Sequence, residues 1–90
     1  MKKYYFISGT WIETMKEFHE AVKMVLHLPD YYGANMDALY DVLTERTTET
    51  IIVIEGWKIM EERLGSQAAV LKQLFEDAEK ANPLFQILYR

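Results

Sequence analysis

The sequence predicts a small α/β protein, ordered β-α-α-β-α-α-β, with parallel strands joined by helical crossovers and the helices packed on the sheet. Three observations carry that reading. Three short β-rich runs, "YYFIS" (4–8), "IIVIE" (51–55) and "LFQILY" (84–89), are spaced along the 90 residues. The middle run is apolar for four residues without polar alternation, the pattern of a strand buried on both faces and therefore usually parallel. The intervals between the runs show helical periodicity, as the right-handed crossovers of a parallel sheet require.

After the first strand, Thr14 with Glu17 makes a capping-box start, and Phe18, Val22, Val25 and Leu26 recur at helical spacing over 14–27, where "LPD" is expected to stop the helix. A second helix is expected over about 36–43, with Asn35 as its N-cap. After the central strand, "WKIMEERLG" reads as a short helix closed by Gly65. Ser66 is placed to cap a longer helix that Asn82-Pro83 ends, with Val70, Leu71, Leu74, Phe75 and Ala78 as its apolar stripe. No internal repeat, low-complexity tract or linker interrupts the chain, so residues 1–90 are expected to form a single domain.

Composition narrows the function. A net charge of −4 and a pI near 5.1 argue against nucleic acid or an anionic membrane as direct partner, because both are bound through Lys and Arg clusters; a basic partner fits better. Without cysteine, neither disulfides nor thiol chemistry are available, which suits a reducing cytoplasm. The apolar run of "MKKYYFISGTW" is too short for a signal core, and no stretch approaches the ~20 apolar residues of a membrane helix. A soluble, cytoplasmic protein is therefore expected.

The stretch "LPDYYGANMDALYDVLT" (28–44) poses an electrostatic problem. Between Lys23 and Arg46 there is no Lys or Arg, yet Asp30, Asp37, Asp41 and Glu45 lie there. At ~100° per residue, Met36, Leu39, Val42 and Leu43 share one arc of the helix, while Asp37, Asp41 and Glu45 share the other. Acids at i, i+4 repel by about 0.2–0.5 kcal/mol per pair, and the last two face the negative end of the macrodipole. Only Asp37, near the N-terminus, is favoured locally. A solvated surface face is the plainest account of such a stripe, but the missing bases and the neighbouring aromatics point to an interface. In "DYYGAN", at least one of Tyr31 and Tyr32 should pack, an exposed one would act as an interface anchor, and Gly33 suits the sharp turn.

Other chemistries are weaker. His19 and His27 have no cysteine, ligand-spaced histidine or serine motif nearby, and read as structural or surface residues. Trp11 and Trp57 flank strands and read as core or core-edge, and the methionines as core filling. There is no phosphate loop and no zinc spacing. Asp37 and Asp41 on an open helix face lack the apolar pocket that acid–base catalysis would need, so neither an enzyme nor a cofactor is expected.

The same stretch resembles the signature segment of the barstar family, intracellular inhibitors of barnase-type ribonucleases. The matching positions are Leu28, Pro29, Asp30, Tyr31, Tyr32, Gly33, Asn35, Met36, Asp37, Ala38, Leu39, Tyr40 and Asp41, and a weaker likeness covers nearly the whole chain. The resemblance implies a barstar-like fold with a three-stranded parallel sheet in the order 1-2-3. It also implies a 1:1 complex in which the second helix and the loop before it occlude the active site of a basic, extracellular-type ribonuclease. Asp41 would then enter the phosphate-binding pocket, Asp37 would meet basic residues at its mouth, and Tyr31 would pack on a catalytic histidine. Asn35, Met36, Tyr40 and Thr44 would line the contact, and Asp77 on the last helix would be a peripheral acid.

The chain departs from the family pattern in places. Tyr40 and Val42 stand for Trp and Cys, Asp77 is one methylene shorter than the usual Glu, and Glu45-Arg46 replaces a Gly-Trp pair at the edge of the surface. These changes bear on partner identity more than on the mode of binding. They motivate an alternative with the same fold, an interaction module or antitoxin for a basic partner that is not a ribonuclease.

Overall fold

The computed structural model describes residues 1–90. Strand β1 (Lys3–Ser8) leads through a single 3-10 turn (Gly9–Trp11) to helices α1 (Met15–Val25) and α2 (Met36–Thr44). Strand β2 (Thr50–Glu55) follows, then helices α3 (Trp57–Leu64) and α4 (Ser66–Ala81), and strand β3 (Phe85–Tyr89). The sheet is parallel throughout in the order β1-β2-β3, with Tyr5, Ile52 and Ile87 in one register row and Ile7, Ile54 and Tyr89 in another. These are the elements and the order expected from the sequence.

Period-two alternation in the strands decides where the core sits. Ile7, Ile52, Ile54, Phe85 and Ile87 point to the helical side. There they join Phe18 and Val22 of α1, Leu39 and Leu43 of α2, Trp57 and Met60 of α3, and Leu71, Phe75 and Ala78 of α4 in one apolar cluster. The opposite face carries Tyr4, Phe6, Ile51 and Val53. It has no helix over it: Ile51 and Val53 are buried between their register neighbours, but Tyr4 and Phe6 stay about half exposed, 53% and 52%. Parallel sheets are usually covered on both faces, and this one is covered on one.

Local signals explain most boundaries. The Thr14 hydroxyl accepts from the Glu17 N–H at 3.2 Å, while the Glu17 carboxylate accepts from Glu13 rather than from the cap residue itself, at 2.8 Å. Asn35 caps α2 by accepting from the Ala38 N–H at 2.8 Å.

Several expectations are corrected. Helix α1 ends before "LPD": His27 takes the left-handed conformation (φ 53°), and its N–H and that of Leu28 return to the carbonyls of Met24 and Lys23, a Schellman stop built without glycine. Ser66 caps nothing. Gly65, at φ 60° and ψ −130°, both closes α3 and precedes α4, a conformation that side-chain-bearing residues avoid. Val70 is 56% exposed, because it falls on the flank of α4 rather than in its apolar stripe, and Trp11 is 81% exposed on the turn beyond β1, whereas Trp57 is buried against Tyr89.

Candidate functional site

The start of α2 is set by the Asn35 cap, and its rotation by Leu39 and Leu43, both fully buried. Met36, Tyr40 and Val42 are half-buried and pack against the same core. With that arc occupied, Asp37 and Asp41 are left exposed, and so is Glu45, the C-cap residue, whose N–H donates to the Asp41 carbonyl at 3.0 Å. None of the three has a side-chain ion pair. The chain's one such pair is Lys23 with Asp30, at 3.2 Å. The fold thus holds three carboxylates in place on a rigid element and supplies no cation to any of them.

The loop before α2 has one ring in and one ring out. Tyr32 is half-buried, its hydroxyl 2.7 Å from His19 Nδ1, and burial pushes its pKa up to about 12. Burial also holds the His19 imidazole below its ordinary value. Tyr31 is 89% exposed beside the acids. Gly33 is not the residue that takes the left-handed turn; that is Ala34, at φ 52°. A Cβ at Gly33 would meet the Ala38 Cβ and the Asn35 side-chain nitrogen at 3.4 Å, ordinary contact distances.

Thr44 is turned inward, its hydroxyl donating to the Tyr40 carbonyl at 2.8 Å. Arg46 is drawn away from the acids. Its Nε donates to the Thr50 hydroxyl at 3.0 Å, its Nη2 to the Tyr5 hydroxyl at 3.3 Å, and its guanidinium lies 5.7 Å above the Tyr5 ring. Among the charged residues predicted for the site, Arg46 is therefore the one whose side chain is engaged with another element of the fold.

Asp77 lies on the same side of the molecule as Asp37. The two border a groove of about 500 Å³ between α2 and α4, floored by Met36, Tyr40, Ala69, Val70 and Leu74, and Gln73 steadies Asp77 by donating to it at 3.0 Å. Sequence reasoning missed the groove, although an apolar Val70 beside polar Gln73 and Asp77 on one helix was a visible signal. Asp41 does not line it, so Asp37 and Asp41 share no enclosed cavity. No three His, Asp or Glu side chains converge as a metal site would need.

Three parallel strands in the order 1-2-3, crossed by paired helices of which the second presents unpaired acids, make up an acidic α/β protein of the barstar type. The chain belongs to the Barstar (barnase inhibitor) family, whose model matches residues 3–90. It is also similar to the Bacillus subtilis (strain 168) protein that carries the name "Putative ribonuclease inhibitor YrdF", with 32% identity over 75 residues, or 82% of each chain.

Proposed function

We propose that the protein is an inhibitor, not an enzyme, and that it occludes the active site of a basic, extracellular-type ribonuclease of the barnase kind in a 1:1 complex within the cytoplasm. Residues 1–90 act as a single domain, with no cofactor, metal, nucleic acid or membrane involved. The observation that carries the reading is the set of exposed, unpaired carboxylates of Asp37 and Asp41 on a helix pinned by its own core. Ribonuclease active sites are cationic because they bind phosphates, and carboxylates held at fixed spacing can take the phosphates' place through charge-assisted hydrogen bonds. Pinning the helix before binding reduces the entropy lost in the complex.

In this reading Asp41 occupies the phosphate pocket, Asp37 meets cations at its mouth, and Tyr31 covers a catalytic histidine. Gly33, Asn35, Met36, Tyr40 and Thr44 shape the contact, Glu45 extends it, and Asp77 adds a peripheral charge. The family and the name of the B. subtilis relative support the ribonuclease as partner. The test is to titrate the protein into basic ribonucleases and follow RNA cleavage. Cleavage should stop at one equivalent, and Asp41→Ala should lose far more inhibition than Glu62→Ala on α3. Equal effects from the two substitutions contradict the residue assignment. Capture of a basic partner without nuclease activity would favour the interaction-module reading instead.

A further inference from the structure

The fold treats the two edges of its sheet differently. In a parallel ladder alternate residues aim both backbone groups at the neighbouring strand, and the residues between them aim theirs away from it. On β3 the Arg90 N–H donates to the Ile54 carbonyl at 2.9 Å, so Phe85, Ile87 and Tyr89 face outward, and the Ile87 N–H is taken by the Glu79 carboxylate at 3.0 Å. On β1 the Lys3 N–H donates to the Glu49 carbonyl at 3.0 Å, so the outward positions are Tyr4, Phe6 and Ser8. All three are exposed, and no side chain caps them as Glu79 caps Ile87.

An uncapped edge is a template for another strand. Two of the outward positions on β1 also carry rings, since Tyr4 and Phe6 stand half exposed on the sheet face that no helix covers. A second copy of β1, run antiparallel about a two-fold axis at Tyr5, sets Tyr4 opposite Phe6 of the second copy and Phe6 opposite its Tyr4. Each such pair exchanges both N–H···O bonds, and its two rings lie side by side on the open face.

Charge follows the same register. Lys2, which shares a cleft on the open face with Glu49, Ile51 and Gln86, falls opposite Ser8 of the second copy, in the row that Ser8 shares with Glu55. Neither Lys2 nor Glu55 has an ion-pair partner in its own chain, and only the small serine stands between them across the axis. Lysines ordinarily blunt an exposed edge, but here Lys2 and Lys3 flank the aromatic pairs and do not oppose each other. Pairing of β1 with β3 of another copy would repeat without end, and Glu79 stands against it; the symmetric β1 pair closes at two copies.

We infer that β1 is a self-association edge, through which two copies join antiparallel at Tyr4 and Phe6 into one continuous sheet. The surface is not that of α2, and the inference does not draw on the inhibitor reading.

Sedimentation from micromolar to millimolar protein should show the mass rising from the chain's 10.6 kDa toward twice that value and no further. Over the same range, amide exchange followed by NMR should slow at Tyr4 and Phe6, by about tenfold once nine-tenths of the chains are paired, because only the unpaired tenth exchanges. Tyr4→Lys/Phe6→Lys sets like charges opposite each other on an exposed face and should stay a monomer throughout. A wild type that is monomeric at every concentration overturns the inference and leaves the edge to an extended segment of a different protein. So does a dimer whose Tyr4 and Phe6 amides exchange as fast as in the monomer, since it is joined through another face. Growth beyond two copies, or a Tyr4→Lys/Phe6→Lys variant that dimerises as readily as the wild type, overturns it as well.

Discussion

Asp41 and Arg46 lie close together at the end of one helix, and the fold treats their charges in opposite ways. At the junction after α2, polar groups are consumed internally. Arg46 bonds to Thr50 and Tyr5, and the buried Asn82 side chain donates to the carbonyls of Leu43 and Arg46 at 3.0 and 3.1 Å and accepts from the Leu84 N–H. On the outer face of α2, Asp37, Asp41 and Glu45 have no ion-pair partner at all. Polar groups satisfied within the chain belong to its architecture. Those held rigidly and left unsatisfied are available to something outside it, and the two regions should respond to mutation in opposite currencies.

The largest expected effect falls on the outer face. Asp41→Ala should weaken ribonuclease inhibition by about 3–5 kcal/mol, the range for breaking a buried ion pair from one side, while leaving the melting temperature of the free protein unchanged or higher. Inhibition assays alongside thermal melts check this. Next comes the junction: Asn82→Ala leaves the Leu43 and Arg46 carbonyls without their donor and the Leu84 N–H without its acceptor, and should cost on the order of 2–4 kcal/mol of stability, because only the Leu43 contact is fully buried and takes the full ~1–3 kcal/mol of an unpaired group. The protein that remains folded should still inhibit, as activity normalised to the folded fraction would show.

Smaller effects sharpen the contrast. Arg46→Lys loses the forked contact to Thr50 and Tyr5 and should cost about 1 kcal/mol in denaturant melts, with little change in inhibition, since lysine offers a point charge where arginine offers a planar fork. Acidification acts through His19, whose folded-state pKa lies below its ordinary value because of burial. The unfolded chain therefore binds the proton more readily, so this contribution is full above about pH 6.5 and is lost as the pH falls from there toward the lowered value. Urea melts at pH 7.5 and 5.0 should show a smaller loss in His19→Gln than in the wild type.

How much of this was legible in the sequence depended on whether the cause was local. The strands, the Asn35 cap and the two arcs of α2 follow from periodicity and capping chemistry within a few residues, and the structure reproduces them. The turn at Ala34 escaped because left-handed backbone is signalled by glycine, asparagine, aspartate or histidine and alanine is none of these, whereas the stop at His27 carried a weak signal of this kind in the histidine itself. Trp11 and Trp57 looked alike in sequence; their fates differ because Trp57 packs on Tyr89 while Trp11 rides a turn that leaves the sheet. Asp37 and Asp41 were readable as a pair because they share one helix. The retreat of Arg46 onto Tyr5 and the contact of Tyr32 with His19 join separate segments of the chain, where spacing carries no signal, while the groove between α2 and α4 was half-signalled by Val70 beside Gln73 and Asp77.

The central claim is that the acids of α2 serve a partner and not the fold. It is tested most directly by neutralising both without changing their shape, in Asp37→Asn/Asp41→Asn, and measuring ribonuclease binding and thermal stability on the same preparation. The expected result is loss of tight binding together with a melting temperature close to that of the wild type, because the relieved i, i+4 repulsion, about 0.2–0.5 kcal/mol per pair, and the removal of Asp41 from the negative end of the helix offset the lost dipole stabilisation of Asp37. Binding that survives the loss of both charges, or a protein that melts markedly earlier, would contradict it.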